Sequence, residues 1–236
     1  MQEKRHEFLR GAKDGIPIAL GYLVISFGLG ISAKNMGLPV WAAVLMSVTN
    51  LTSAGEAAGI AVIAASGSLV EMALTQFVIN LRYALMGLSL TQKLDGSYTL
   101  PHRLLTSYAI TDEVFAVSVS RPGKLSPPYM YGLISLPVLG WTTGTLLGAA
   151  AGELLPPLVG EALGLAIYGM FIAIVLPPAK KDKGVCCCVV LSALLSCCLR
   201  YIPVFSGITQ GFAIILCAVI ASALMAVLFP RKEEGQ

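Results

Sequence analysis

Charge is what this chain has least of. Only 12% of its 236 residues are Asp, Glu, Lys or Arg, against roughly 25% in a soluble domain. With 56% hydrophobic residues and a mean hydropathy of +0.79, that shortage defines an integral membrane protein. The net charge of +3 is small, and the basic residues stand at the ends of apolar segments, so no nucleic-acid surface is expected. Histidine is nearly absent: His6 and His102 lie far in sequence from the six cysteines, Cys186, Cys187, Cys188, Cys197, Cys198 and Cys217. Neither metal-ligand spacing nor a nucleophile with its base is present, which speaks against a metal, a cofactor and enzymatic chemistry. The cysteines, all inside apolar segments, are expected to be buried as small, soft packing residues. No Walker-type phosphate loop occurs. No short apolar core with a small-residue cleavage site follows the charged N-terminus, so no removable signal peptide is expected.

What is present is a series of apolar spans long enough to cross a bilayer, about 20 residues each. The first runs from Gly15 to Ala33, opened by Pro17, with Gly21 and Gly28 marking a face for close helix approach. A second apolar stretch covers Pro39 to Ser66, and a helix is expected from Leu69 to Lys93. In the second half, spans are expected over Tyr129–Ala151, Glu161–Leu176 (ended by Pro177-Pro178), Val185–Tyr201 and Gly207–Phe229, with Gly140, Gly144 and Gly148 forming a repeated small-residue stripe. The segment 104–120 carries Asp112 and Glu113 at its centre, and could cross, lie at the surface or enter partway. The expected architecture is one all-α polytopic membrane domain of about six to seven transmembrane helices. It comprises a first helical half (15–93), an amphipathic or partly inserted helix (101–121) and a second half (129–229).

Two stretches are too polar for their depth. Ser47-Val-Thr-Asn-Leu-Thr-Ser-Ala-Gly-Glu56 sits in the middle of the Pro39–Ser66 stretch. Polar groups there need a cavity or a partner, and broken helices that expose free backbone amides and carbonyls line substrate sites in many secondary transporters. Within Leu69–Lys93, Gln76 and Asn80 stand one turn apart with Tyr83 behind them, and Arg82 lies a dozen residues into the helix, where it needs a counter-charge. Glu56 and Glu71 are the nearest carboxylates in sequence.

Loop charge favours a cytoplasmic N-terminus. If 39–66 is a broken or re-entrant pair of half-helices, Lys93, Arg103, Arg121 and Lys124 join the N-terminal cluster on that side. If it crosses once, Lys93 and Arg103 lie opposite and 104–120 must cross back; the first arrangement breaks no charge rule, so a broken or re-entrant element is expected near residues 39–66.

Met46-Ser47 with Ser53-Ala-Gly-Glu56, Asn80-Leu-Arg82-Tyr83, Ile110-Thr-Asp112-Glu113-Val-Phe-Ala and Gly140-Trp-Thr with Gly144-Thr, in this order over nearly the whole chain, resemble the AzlC family of branched-chain amino acid permeases. The resemblance implies export of valine, leucine, isoleucine or analogues across the cell membrane of a bacterial-type cell, together with a small AzlD-type membrane partner. It places the family's polar motifs on Ser53–Glu56, Asn80–Arg82 and Asp112–Glu113. The chain departs from the family at Glu56, where members commonly carry Gln.

A zwitterionic substrate with an aliphatic side chain needs donors for its carboxylate, acceptors for its ammonium and an apolar pocket. The expected substrate-binding residues are Ser47, Asn50, Thr52, Ser53, Glu56, Gln76, Asn80, Arg82 and Tyr83. Glu56, Asp112 and Glu113 are the candidates for proton coupling, since exclusion of water favours the neutral carboxyl and permits reversible protonation. A channel for a small polar solute, or an assembly subunit whose partner carries the path, are the alternatives. The glycine faces also leave room for an oligomer.

Overall fold

The computed structural model describes residues 2–151, 169, 172, 175–205 and 207–230. Among them the helices are α1 (Gln2–Asn35), α2 (Val40–Thr49), α3 (Ser53–Ala64), α4 (Leu69–Thr91), α5 (Leu100–Ser107), α6 (Asp112–Ser120), α7 (Pro127–Ala151), α8 (Lys183–Tyr201) and α9 (Gln210–Leu228), and residues 175–181 are helical as well. The described residues contain no sheet beyond an isolated bridge between Leu94 and Leu125. The protein is an all-α membrane bundle. Four described helices, α1, α7, α8 and α9, are long and apolar enough to cross a membrane. α4, at 23 residues, has the length, but Glu71, Gln76, Asn80 and Arg82 dilute its apolar character. The span expected over Glu161–Leu176 lies almost wholly outside the described residues.

The chain divides into two compact units, 1–56 with 80–167 and 57–79 with 168–236. In the first, α1 and α7 form the spine. A β-carbon on Gly132 would lie 2.0 Å from the Phe8 carbonyl oxygen, one on Gly144 2.4 Å from that of Leu23, and one on Gly148 2.0 Å from that of Phe27. Backbones meet there because those residues lack side chains. Residue numbers rise together along both helices, so α1 and α7 are parallel and begin at the same end, hereafter the basal end. The glycine stripe of α7 thus does the packing foreseen for it. Gly21 does not: among the described residues nothing lies within 4 Å of where its β-carbon would be, and Gly30 approaches the backbone of Thr145 instead. Pro17 does not open the first span either. α1 is one helix from Gln2, with Pro17 in its interior; proline is tolerated in membrane helices when neighbours re-satisfy the freed carbonyl.

At the basal end Arg121 Nη2 contacts Glu7 Oε2 at 2.8 Å, the Arg121 guanidinium stacks 3.6 Å from the Tyr129 ring centroid, and the Tyr129 hydroxyl donates to Asp14 at 2.8 Å. These contacts tie the start of α7 to the start of α1.

The second unit contains a buried carboxylate with a structural task. Glu71, 3% exposed, accepts from the Gly211 amide at 2.9 Å and from the Thr209 hydroxyl, and so caps the start of α9. Asp182 caps α8 through the amides of Gly184 and Val185 at 2.8 and 3.2 Å. Gly184, at the start of α8, packs against Phe229, which follows α9, so the two helices run antiparallel. Pro177-Pro178 does not end a helix: residues 175–181 stay helical, and the Pro178 carbonyl accepts from the Asp182 amide at 3.0 Å. A proline's fixed φ suits a helix, and its costs are the lost amide bond and the crowding of its ring against the preceding turn. The cysteines are not buried. All six are free, and each is exposed or half-buried on α8 or α9, because α8 has no buried residue among its 19 and presents its apolar faces outward.

Candidate functional site

The Pro39–Ser66 stretch is broken where the polar residues gather. α2 ends at Thr49, and Asn50 leaves the helix with φ −138° and ψ 70°. α3 restarts on Thr52, whose hydroxyl accepts from the Gly55 amide at 3.4 Å and whose carbonyl accepts from the Glu56 amide at 2.8 Å. Asn and Thr favour such local side-chain bonds over helix continuation. At 10 and 12 residues, α2 and α3 are each about 15–18 Å long, too short to cross alone.

The segment expected as one helix over 101–121 is also broken, at Tyr108–Thr111. Thr111 caps α6, its hydroxyl accepting from the Val114 amide at 3.3 Å. The path of this element can be read against α1, α2 and α7. His102 bonds Tyr131 near the basal end at 2.5 Å; the Tyr108 hydroxyl donates to the Val48 carbonyl; Thr111 reaches Tyr22 at mid-height of α1. α6 then returns past Met130, where Ser118 donates to its sulfur, to Arg121 and Glu7. α5 and α6 therefore form a re-entrant hairpin that enters from the basal end and comes back to it. Lys93, at the end of α4, closes the hairpin's exit by donating to the carbonyls of Ser118, Val119 and Arg121 at 3.3, 2.6 and 2.6 Å, satisfying acceptors that a helix C-terminus leaves open. Lys93, His102 and Arg121 share one end, with Lys124 bonded to the Gln92 carbonyl beside them.

Between the two breaks lies a polar seam. Glu56, 1% exposed, accepts from Ser47 Oγ at 2.5 Å and from Trp141 Nε1 at 2.8 Å; Ser47, fully buried, is bonded in turn to Thr145 Oγ1 at 2.5 Å. Trp141 packs edge-on against Tyr22, with ring centroids 5.1 Å apart and planes at 75°. The Tyr22 hydroxyl lies 2.6 Å from Thr111 Oγ1 and 2.5 Å from Glu113 Oε2. One carboxylate from each broken element thus faces the spine, and an aromatic pair from α1 and α7 stands between them. Each ring spends its single polar hydrogen on the acid beside it, as buried Trp and Tyr require.

Arg82 has its counter-charge, and it is neither Glu56 nor Glu71. Arg82 Nη1 contacts Asp112 Oδ2 at 2.7 Å, Nη2 donates to Tyr83 Oη at 3.2 Å, and the guanidinium carbon lies 5.0 Å from the Tyr83 ring centroid. The sequence-nearest acids lose because α6 brings Asp112 in from 30 residues away, while Glu56 and Glu71 are occupied by Trp141 and by α9.

Of the residues expected to bind substrate, Ser47 and Glu56 are joined directly, and Asn50 and Thr52 form the break beside them with Ser53 opening α3. Arg82 and Tyr83 form a second group with Asp112, and Glu113 belongs to the seam through Tyr22. Gln76 and Asn80 are half-buried on α4; Gln76, in the second unit, donates to Met72 Sδ at 3.9 Å. Tyr22, Trp141, Thr145 and Thr111 were not foreseen as site residues. An indole N–H and a phenol in the middle of apolar spans were the available signal, since each needs a partner at that depth.

A broken pair, a hairpin of two short helices and a polar seam between parallel spanning helices make this a polytopic helical membrane protein. Residues 17–155 match the family model described as AzlC protein, and the chain belongs to that family. It is 28% identical over 234 residues to the inner membrane protein YgaZ of Escherichia coli K12, covering 96% of this chain and 94% of that protein. It is 30% identical over 175 residues to an uncharacterized membrane protein of Archaeoglobus fulgidus (73% and 76% covered), and 23% identical over 244 residues to one of Helicobacter pylori J99 (97% and 99%). No solved structure matches. Family membership supports a role in membrane transport.

Proposed function

We propose that this protein is the membrane subunit of a secondary transporter that exports branched-chain amino acids, valine, leucine, isoleucine or analogues, coupled to protons and working with a small AzlD-type partner. The supporting observation is the seam of Glu56, Ser47, Trp141, Tyr22 and Glu113 between two broken helices. Such breaks supply the backbone groups a zwitterion needs, and carboxyls out of water can take up and release protons. Glu56 and Glu113 are the proton-carrying groups in this reading. The N-terminus is cytoplasmic in it, because Lys4, Arg5, Arg10 and Lys13 of α1 gather at the basal end with Lys93, Arg121 and Lys124, while α1 reaches the opposite end with Lys34 alone.

The test is counterflow and net efflux of labelled leucine, isoleucine and valine in proteoliposomes, with and without the co-expressed partner, under an imposed pH gradient. Saturable movement that follows the gradient supports the proposal. Non-saturable flow insensitive to pH refutes coupling and makes the protein a channel; no flux with or without the partner refutes the substrate class.

A further inference from the structure

We infer that the Arg82–Asp112 ion pair is the recognition element for a zwitterion, which inserts between the two side chains, its carboxylate on Arg82 and its ammonium on Asp112. The inference rests on the amino-acid reading above and assigns the two substrate charges to two side chains. Glu56, the other carboxylate of a predicted site residue, is 1% exposed with both oxygens already occupied by Ser47 and Trp141. The Arg82 and Asp112 side chains are 41% and 30% exposed, so a solute can reach them. They lie beside the seam, since Asp112 directly follows Thr111, which bonds Tyr22. The guanidinium also has a donor in hand: Arg82 Nε is buried with no partner, while Nη1 meets Asp112 and Nη2 meets Tyr83. A carboxylate arriving on Arg82 therefore gains a bond that Asp112 alone does not make, and a guanidinium is built for such two-point contact.

Charge balance explains why a zwitterion is the ligand selected. In the empty protein each charge neutralises the other. A bound zwitterion gives each side chain a new partner and leaves none unpaired. A plain amine satisfies Asp112 but strands Arg82; a plain carboxylate does the reverse. Both are disfavoured, and the pair re-closes when the solute leaves. Tyr83, bonded to Nη2 and beneath the cation, holds Arg82 in place through both states.

The experiment measures ligand-induced thermal stabilisation of the purified full-length protein, and from it relative affinities. The probes are leucine, 3-methylbutylamine (leucine without its carboxylate) and 4-methylpentanoate (leucine without its ammonium). The wild type is expected to prefer leucine by at least about tenfold over either analogue. In Arg82→Gln the preference over the amine collapses toward one, because Asp112 is now free to pair. In Asp112→Asn the preference over the acid collapses in the same way. Unchanged preferences in both variants overturn the assignment while leaving branched-chain transport standing. If Arg82→Gln yields no folded protein, Asp112→Asn decides alone. If the wild type binds no branched-chain amino acid, that substrate class falls. The pair then stands only if another of the twenty amino acids stabilises the wild type but not Arg82→Gln, and it is overturned if none does.

Discussion

Replacing Glu56 by Gln and by Ala separates what the carboxyl does for the fold from what it does with a proton. In the structure its two oxygens accept from Ser47 Oγ at 2.5 Å and Trp141 Nε1 at 2.8 Å, and Ser47 is bonded to Thr145 at 2.5 Å with either hydroxyl able to donate. A glutamine fits this arrangement. Its carbonyl accepts from Trp141, its amide donates to Ser47, and Ser47 turns its own hydrogen to Thr145. Every buried heteroatom keeps at least one bond, with only one amide hydrogen and the Thr145 hydrogen unmatched, so Glu56→Gln should change stability by about 1 kcal/mol. Alanine leaves the buried indole N–H without an acceptor, about 1–3 kcal/mol, and adds a cavity worth about 1 kcal/mol or more. For a chain of this size each kcal/mol moves the melting temperature by about 2–4 °C. Thermal unfolding of the purified variants in detergent is therefore expected to place Glu56→Gln within a few degrees of the wild type and Glu56→Ala well below it. The same Glu56→Gln protein in vesicles should still exchange leucine by counterflow yet lose acceleration by a pH gradient. Equal melting of Glu56→Ala and wild type would refute the structural part of this reasoning. A Glu56→Gln variant that follows the gradient like the wild type would remove Glu56 from the proton path.

Tyr22→Phe keeps the ring contact with Trp141 but removes the hydroxyl shared by Thr111 and Glu113. It should cost about 1–2 kcal/mol and weaken the pH response, read by melting and vesicle flux. Gly144→Ala sets a β-carbon 2.0 Å from Ser26 Oγ and 2.4 Å from the Leu23 carbonyl, so the spine must part, with an expected loss of about 1–3 kcal/mol. Gly21→Ala meets nothing within 4 Å and should be neutral or slightly stabilising in the same melting assay. Lys93→Met removes the ammonium from three carbonyls at the end of α6; amides near 118–121 should exchange with deuterium faster by mass spectrometry, while those of α1 keep the wild-type rate.

Sequence alone reached the all-α membrane class and the break at 47–56, because apolar length and misplaced polarity are local properties. For the same reason it put Ser47 and Glu56 in one polar stretch, and the structure joins them by a hydrogen bond. Their other partners were out of reach: Trp141 and Thr145 stand on a helix whose glycine spacing announced packing, and nothing local says which helix it packs against. Arg82 shows the limit most clearly. The need for a counter-charge was legible, but the nearest acids in sequence were not the nearest in space. The 104–120 segment was ambiguous because a nine-residue helix behind a threonine cap carries too little hydrophobic periodicity to reveal its depth; only the contacts to Tyr131, Val48 and Tyr22 give it.

The two kinds of contact in the first unit differ in how tightly they hold its elements. α1 and α7 touch backbone to backbone at several glycines, and an interface without intervening side chains has no slack in which to slide. The broken elements are held differently. α6 buries Val114 and Ser118 and is otherwise tied to its neighbours by polar contacts, Tyr22 to Glu113, Lys93 to its last carbonyls, and Arg82 to Asp112. Protonation of Glu113 would alter the first, and a zwitterion between Arg82 and Asp112 would open the third. In the function proposed above, proton and substrate would thus act on neighbouring residues at the start of one nine-residue helix. A secondary transporter needs this proximity: two ligands are coupled to the extent that they bias the same two-state element, and in the proposed function that element is the α5–α6 hairpin, working against the closely packed α1–α7 spine.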